Sequence, residues 1–243
     1  VGDIRSVFEG LAIEGAHVSM VDDTTFLARA HLIDRDTYTS IVNVLTEEIG
    51  ESRETRFETV GPTVSRDLVK SSAYALGFAV LAIILYIAWA FRSIPAPLSS
   101  WKFGFAAIVA LVHDIVLVVG IFSLFGHYLG VEVDTLFISA LLTILGFSVH
   151  DTIVVFDRIR ENLRRVSGGL IEIANTSIAE TMTRSINTSA TTLFTLLALL
   201  IFGGSTLFWF VLALVIGITV GTYSSIFIAS VLVVLWHGGI TKS

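Results

Sequence analysis

No cysteine occurs among the 243 residues, which excludes a disulfide-stapled secreted module and a Cys-ligated metal site. Charge is scarce too. Asp, Glu, Lys and Arg make up 15% of the chain, where a soluble domain carries about 25%. Hydrophobic residues reach 54% and mean hydropathy is +0.83. An ordinary globular fold is thereby disfavoured, and apolar runs of about 20 residues, the length that spans a bilayer, are expected. A formal net charge of −6 argues against nucleic acid as a partner. The chain also lacks a Walker motif, a G-x-S-x-G elbow and a nucleotide fingerprint. Hydrolytic and ATP chemistry have no support, so an enzyme is not expected. No His/Asp/Glu cluster shows metal-ligand spacing, and no cofactor is expected.

What is present falls into two unlike parts. Residues 1–70 hold seven basic and thirteen acidic residues, and the remainder holds eight of each, so the whole net charge belongs to the N-terminal part. There Ile4, Val7, Phe8 and Leu11 mark one face of a short helix opened by Asp3. His17–Val21 and Thr25–Leu32 flank the turn-prone Asp22-Asp23 as a hairpin. Tyr38, Ile41, Val42, Leu45 and Ile49 predict a second helix, with Asp36 as N-cap and Gly50 as its stop. Arg56–Val60 reads as a strand. The order α-β-β-α-β predicts a small α+β, ferredoxin-like domain lacking its first strand. About 70 residues give only a marginal core.

Residues 71–243 read as a membrane domain with spans near 73–91, 103–125, 134–156, 183–202 and 207–230. None is N-terminal, so none reads as a signal peptide. The last run stays apolar to Trp236 and predicts one long or tilted helix. Eight basic residues (Arg92, Lys102, Arg158, Arg160, Arg164, Arg165, Arg184 and Lys242) lie in or beside loops on one side. The alternate loops, 126–133 and 203–206, hold no Lys or Arg. By the positive-inside rule the N-terminal domain is extracytoplasmic and the C-terminus cytoplasmic.

An ionisable side chain within a span costs about 2.5–3.5 kcal/mol on insertion scales and is a functional candidate by default. His113-Asp114 falls near the middle of the second span. His150-Asp151 lies one to two turns from the cytoplasmic end of the third, and Arg184 enters the fourth from the same side. Ser139, Thr143, Gly146 and His150 form one stripe; Arg184, Thr188, Thr191 and Thr195 form another. Two such stripes predict a hydrated interface with Asp151 facing Arg184. Plainer readings stand beside this one. The pair can be a static ion pair, the threonines can bond their own i−4 carbonyls, and both histidines can be packing residues. Gly217 and Gly221 form a small-xxx-small pair, more often packing than function. Ile171, Ala174, Ile178 and Met182 oppose Glu172, Asn175 and Glu180 and predict an amphipathic helix at the inner interface, or an ordinary loop helix.

Several stretches resemble one family. Val60-Gly61-Pro62-Thr63-Val64-Ser65 is similar to the VGPxVS signature of the SecF branch of the SecD/SecF protein-export family, within the RND superfamily. His113-Asp114 matches its HD, and Gly146 through Asn162 matches its GYSINDTIVVFDRIREN run, Asp157, Arg158, Arg160 and Asn162 included. Asn187-Thr188-Ser189, then Thr191-Thr192 and Phe202-Gly203-Gly204, continue the resemblance, which covers residues 60–236. Position 150 is His where the family usually has Asn, which adds a titratable group beside Asp151. Phe147 replaces Tyr, and the loop between Arg165 and Ile171 is about one residue short.

The resemblance implies an RND-like bundle with five of an expected six spans present. The chain is then N-terminally incomplete or part of a SecD–SecF fusion. It also implies an accessory subunit of the Sec translocase in the prokaryotic plasma membrane, driven by the proton motive force with protons as the coupling ion. SecD, the Sec channel, a translocating polypeptide and the bilayer are the partners. By position, Asp151 and Arg184 match the family's functional intramembrane pair. An RND-type exporter of a small molecule or lipid, and a passive scaffold of the channel, are the alternatives.

Overall fold

The computed structural model describes residues 2–11, 13, 17–20, 25–29, 35–48, 62–92, 100–165 and 168–238. The chain divides into two compact units, residues 1–71 with 204–206, and the remainder.

In the first unit α1 (Gly2–Gly10) is followed by β1 (His17–Met20), β2 (Phe26–Arg29) and α2 (Arg35–Glu48). The strands pair antiparallel, with Val18 opposite Ala28 and Ser19 opposite Leu27. The predicted faces are the packed ones: Val7 and Phe8 of α1 are buried with Ile41 and Leu45 of α2, and Val18, Phe26 and Ala28 close over them. Val42, counted in the same stripe, is exposed instead. Asp36 lies inside the first turn of α2, not at its N-cap, where its charge still suits the helix N-terminus. The Asp22-Asp23 turn, Gly50 and the strand expected at 56–60 lie outside the described residues. The described sheet has two strands.

Among the described residues, five helical segments, lying mainly in the second unit, are long and apolar enough to cross a bilayer. They are α3 (Pro62–Ala90), α4 (Ser100–Leu129), α5 (Thr135–Arg165), α6 (Leu170–Phe202), and a last segment made of α7 (Ser205–Ser224), a π-turn (Ser225–Ala229) and α8 (Ser230–Gly238). The predicted spans 103–125, 183–202 and 207–230 lie within these segments, while 73–91 and 134–156 each run one residue past a helix end, at Phe91 and Asp134. At 1.5 Å per residue, the 31 residues of α5 extend about 46 Å, more than the ~30 Å hydrocarbon core. The polar run Asp157–Arg165 therefore continues the helix beyond the apolar part. Likewise residues 171–182 are not a separate amphipathic element. They are the first turns of α6, where Ile173, Ala174 and Ser177 are buried and Ile171 stays exposed.

Two apolar clusters hold the bundle. One gathers Ile87, Phe91, Phe103, Leu111, Val155, Phe156, Ile159 and Val233. At its centre the Phe103 ring meets Phe156 edge-on at 4.9 Å and stacks on Phe91 at 5.8 Å. The other joins Val118, Phe122, Phe137, Leu141, Ile144 and Leu214. Along α4, Asp114 falls between Leu111 of the first and Val118 of the second. The same gap on the last segment holds Ser224 and Ser225, and α5 places Ser148 beside it. A thin polar layer is thus set between two apolar ones.

Candidate functional site

The polar layer is built from helices α4, α5 and the last segment. Asp114 is wholly buried. Its Oδ2 accepts hydrogen bonds from Ser148 Oγ at 2.5 Å and from Ser224 Oγ at 2.8 Å, side chains 34 and 110 residues away in the chain. Its Oδ1 lies 3.0 Å from Nδ1 of half-buried His113. Next to this cradle, Thr152 Oγ1 and Ser225 Oγ are 2.8 Å apart. Both reach the carbonyl oxygen of Ser148, at 3.0 and 3.1 Å. Ser230 Oγ donates to the carbonyl of Ser225, five residues back. That is the spacing of the π-turn, a feature frequent at functional sites. A buried carboxylate is costly unless donors surround it, and this one has them.

Glycine makes the approach possible. A Cβ at Gly221 would stand 3.0 Å from Ser148 Cβ, and one at Gly217 would overlap the Ile144 side chain. The small-xxx-small pair is therefore packing, as its spacing suggested. Its effect is to bring Ser224 within reach of Asp114.

Asp151 is also buried, at 2% exposure, but its environment differs. Ser185 of α6 and Thr222 of α7 stand close enough to interact with its carboxyl. Even so, Asp151 Oδ2 and Ser185 Oγ complete no hydrogen bond with the described residues. Thr222 Oγ1 is instead 2.6 Å from Ser189 Oγ. An acceptor oxygen buried without a donor costs about 1–3 kcal/mol.

Arg184 does not face Asp151. It is exposed and forms no ion pair with a described carboxylate. The reason is helical phase: one residue is 100° of rotation, so the face α6 turns inward is Ser177, Thr181, Ser185 and Ser189. Arg184, Thr188, Thr191 and Thr195 lie one residue off and are exposed. The same correction applies to α5, whose Ser139, Thr143, Gly146 and His150 are exposed while Ser148, Asp151 and Thr152 point inward. The exposed hydroxyls bond their own helix: Ser139 to Thr135, Thr143 to Ser139, Thr191 to Asn187 and Thr195 to Thr191. The plain reading of the threonines therefore holds, and the two stripes do not pack on each other.

Among the remaining motif residues, Asp157, Arg158, Arg160 and Asn162 form a clamp at the end of α5. Buried Asn162 donates from Nδ2 to Ser177 Oγ at 3.0 Å and to Glu180 Oε2 at 2.7 Å. Arg158 Nε donates to the same Glu180 oxygen at 2.7 Å and also pairs with Glu161. Arg160 pairs with Asp157, reaches the carbonyl of Ala90 at 3.3 Å and lies over the Phe91 ring. Asn187 and Thr188 are exposed, while Ser189 is buried against Thr222. Pro62 opens α3, and Gly61 lies outside the described residues. Ser185, Thr222, Ser224 and Ser225 escaped the sequence reading. The i, i+4 run Ser177-Thr181-Ser185-Ser189 and the paired serines inside an apolar segment were the available signals.

Residues 41–239 match the family described as protein export membrane protein SecD/SecF, C-terminal. A protein translocase subunit SecF from Thermobaculum terrenum is 53% identical over 195 residues, which cover 80% of this chain and 61% of that one. SecF from Anaerolinea thermophila is 39% identical over 242 residues, covering 98% and 77%. A fused subunit, SecDF from Thermus thermophilus, is 46% identical over 182 residues, 74% of this chain but 23% of its own length. A crystal structure of SecDF in a super-membrane-facing form superimposes with a TM-score of 0.67 at 36% identity. It covers 98% of this chain, which spans 32% of that one.

Proposed function

Since the chain belongs to the SecD/SecF family of protein-export membrane proteins, we propose that it is an accessory subunit of the Sec translocase that couples proton entry at Asp151 to export. The observation that carries the coupling is the buried Asp151 oxygen that no described donor serves, beside the equally unpaired Ser185 hydroxyl. One charge crossing 100 mV yields about 2.3 kcal/mol, comparable with the cost of leaving such a group unpaired. Proton arrival and departure therefore carry enough energy to move helices α5, α6 and α7 relative to one another. The proton is the coupling ion in this reading, and no cofactor enters it.

The orientation follows from the loop charges. The eight basic residues put the clamp end of α5 and the start of α6 in the cytoplasm, and residues 1–70, completed as a ferredoxin-like domain, outside it. SecD is the partner that the fused relative suggests. The polar stripes left exposed on α5 and α6, with Arg184 and His150 among them, suit a face that meets another helix bundle better than one that meets lipid. The emerging polypeptide would be handled by the external domain.

A passive scaffold that only stabilises the channel is the rival reading, and it expects Asp151→Asn and Arg184→Ala to leave export intact. The test is export by the assembled translocase in energised vesicles. Asp151→Asn is expected to insert and assemble normally while losing the export stimulation that an uncoupler removes from the wild type. Stimulation that persists unchanged in the variant returns the protein to the scaffold reading.

A further inference from the structure

Asp114 is fully buried, and proton coupling at Asp151 makes no use of it. Its surroundings are not those of a merely tolerated carboxyl. Ser224 Oγ has one proton and two acceptors within reach, Asp114 Oδ2 at 2.8 Å and the carbonyl oxygen of Gly221 at 3.1 Å. Ser225 and Thr152 are placed alike, each within hydrogen-bond distance of the other and of the Ser148 carbonyl. A hydroxyl donates a single proton, so these side chains choose between acceptors, and the charge on Asp114 sets the choice at Ser224. His113, half-exposed, offers the only described ionisable contact, at Oδ1. Other charge near the cradle is sparse. Between Lys70 and Arg92, α3 has no ionisable residue except tyrosine, and the last segment has none but Tyr223 from 205 to 236. Along this stretch α5 brings exposed His150 and buried Asp151.

We propose that Asp114, cradled by Ser148 and Ser224, is a second proton-exchange site, loaded through His113 and read out by the Ser224 hydroxyl. The inference rests on the proton-coupled reading and adds a site to it. In the loading step an imidazolium at His113 transfers its Nδ1 proton to Asp114 Oδ1. His113 becomes neutral imidazole, the carboxylate becomes a carboxylic acid, and the new O–H donates back to Nδ1. Oδ2 is then a neutral acceptor, weaker than the carboxylate it replaces. The Ser224 proton turns from Oδ2 to the Gly221 carbonyl, while Ser148 keeps its bond. Release reverses each move. Because Ser224 immediately precedes the π-turn and Gly221 lies one turn before it, the choice of acceptor is made where the last segment already departs from α-helical bonding.

The test is infrared difference spectroscopy on acidification of the chain assembled with its SecD partner in lipid vesicles. The wild type is expected to lose two carboxylate bands and gain two carbonyl bands of protonated acid. Asp151→Asn removes one set and Asp114→Asn the other, with proton uptake at least tenfold slower in the second. Ser224→Ala is expected to move the carboxylate band of Asp114 and leave its carbonyl band in place, and Ser224→Thr to restore the first. A spectrum in which Asp114→Asn removes no band overturns the proposal. So does a Ser224→Ala spectrum in which neither band, or both together, shift, which keeps the question decidable if Asp114→Asn fails to fold. Failure of the Asp151 reading looks different: export there stays normal in Asp151→Asn while the Asp114 bands persist.

Discussion

Gly221 and Ser148 meet across the contact between α7 and α5, so closely that a methyl group on residue 221 would lie 3.0 Å from Ser148 Cβ. That approach sets the distance at which Ser224, less than one turn further on, reaches Asp114.

Gly217→Ala and Gly221→Ala are expected to differ. At 217 the new methyl overlaps a β-branched Ile144 already packed in the second cluster. A loss of about 1–3 kcal/mol is expected, visible as a lower unfolding temperature in detergent and partly recovered by Ile144→Val. At 221 the methyl needs only a few tenths of an ångström, so the loss should be smaller. Equal losses would show that the two contacts are not the rigid ones described.

Phe103→Ala removes the ring at the centre of the three-phenylalanine cluster. A destabilisation of about 3–5 kcal/mol is expected. Trp101→Ala, two residues earlier and exposed, should cost far less by the same measurement.

Asn162→Ala leaves Ser177 and Glu180 without a buried donor. The expected loss is about 1–3 kcal/mol. Asn162→Asp should lose more, since it puts a second carboxylate against Glu180. Arg158→Ala breaks ion pairs that are largely solvated, each worth about 0–1 kcal/mol. Comparing the three unfolding curves tests this ranking, and an Arg158 variant less stable than Asn162→Ala would reverse it.

Arg184→Gln should leave the stability of the isolated chain within about 0.5 kcal/mol of wild type, because the side chain has no partner within the described residues. Its effect should fall on association with SecD, measured as retention of the partner during detergent purification. A chain that unfolds earlier but keeps its partner contradicts the exposed placement.

Much of this was legible beforehand, for identifiable reasons. Apolar runs of bilayer length mark spans clearly, and each expected span matches an observed helix to within one residue at its ends. The stripe of Val7, Phe8, Ile41 and Leu45 was equally plain, because water punishes a misplaced apolar face. Inside the membrane that contrast fails: lipid is as apolar as a protein core, so periodicity does not say which side of a helix faces its neighbours. Spacing alone points to Ser139, Thr143 and His150 on α5 and to Arg184, Thr188 and Thr195 on α6. Each set lies about one residue out of phase with the packed face.

By itself, then, the amino-acid sequence determined where the long apolar helices of the described residues lie, the separation of charge into one small domain and one set of loops, and the presence of His113, Asp114 and Asp151 within those helices. Only the tertiary structure decided their partners. Asp114 received Ser148 and Ser224 from helices 34 and 110 residues away, and Asp151 Oδ2 was left without a donor among the described residues, with Arg184 turned to the exposed face of α6. The physical reason is that hydroxyls satisfied by their own i−4 carbonyls sit as comfortably on an outer face as on an inner one. Their direction is set by where glycine and small side chains let helices approach, a property of the packed bundle that no single helix carries.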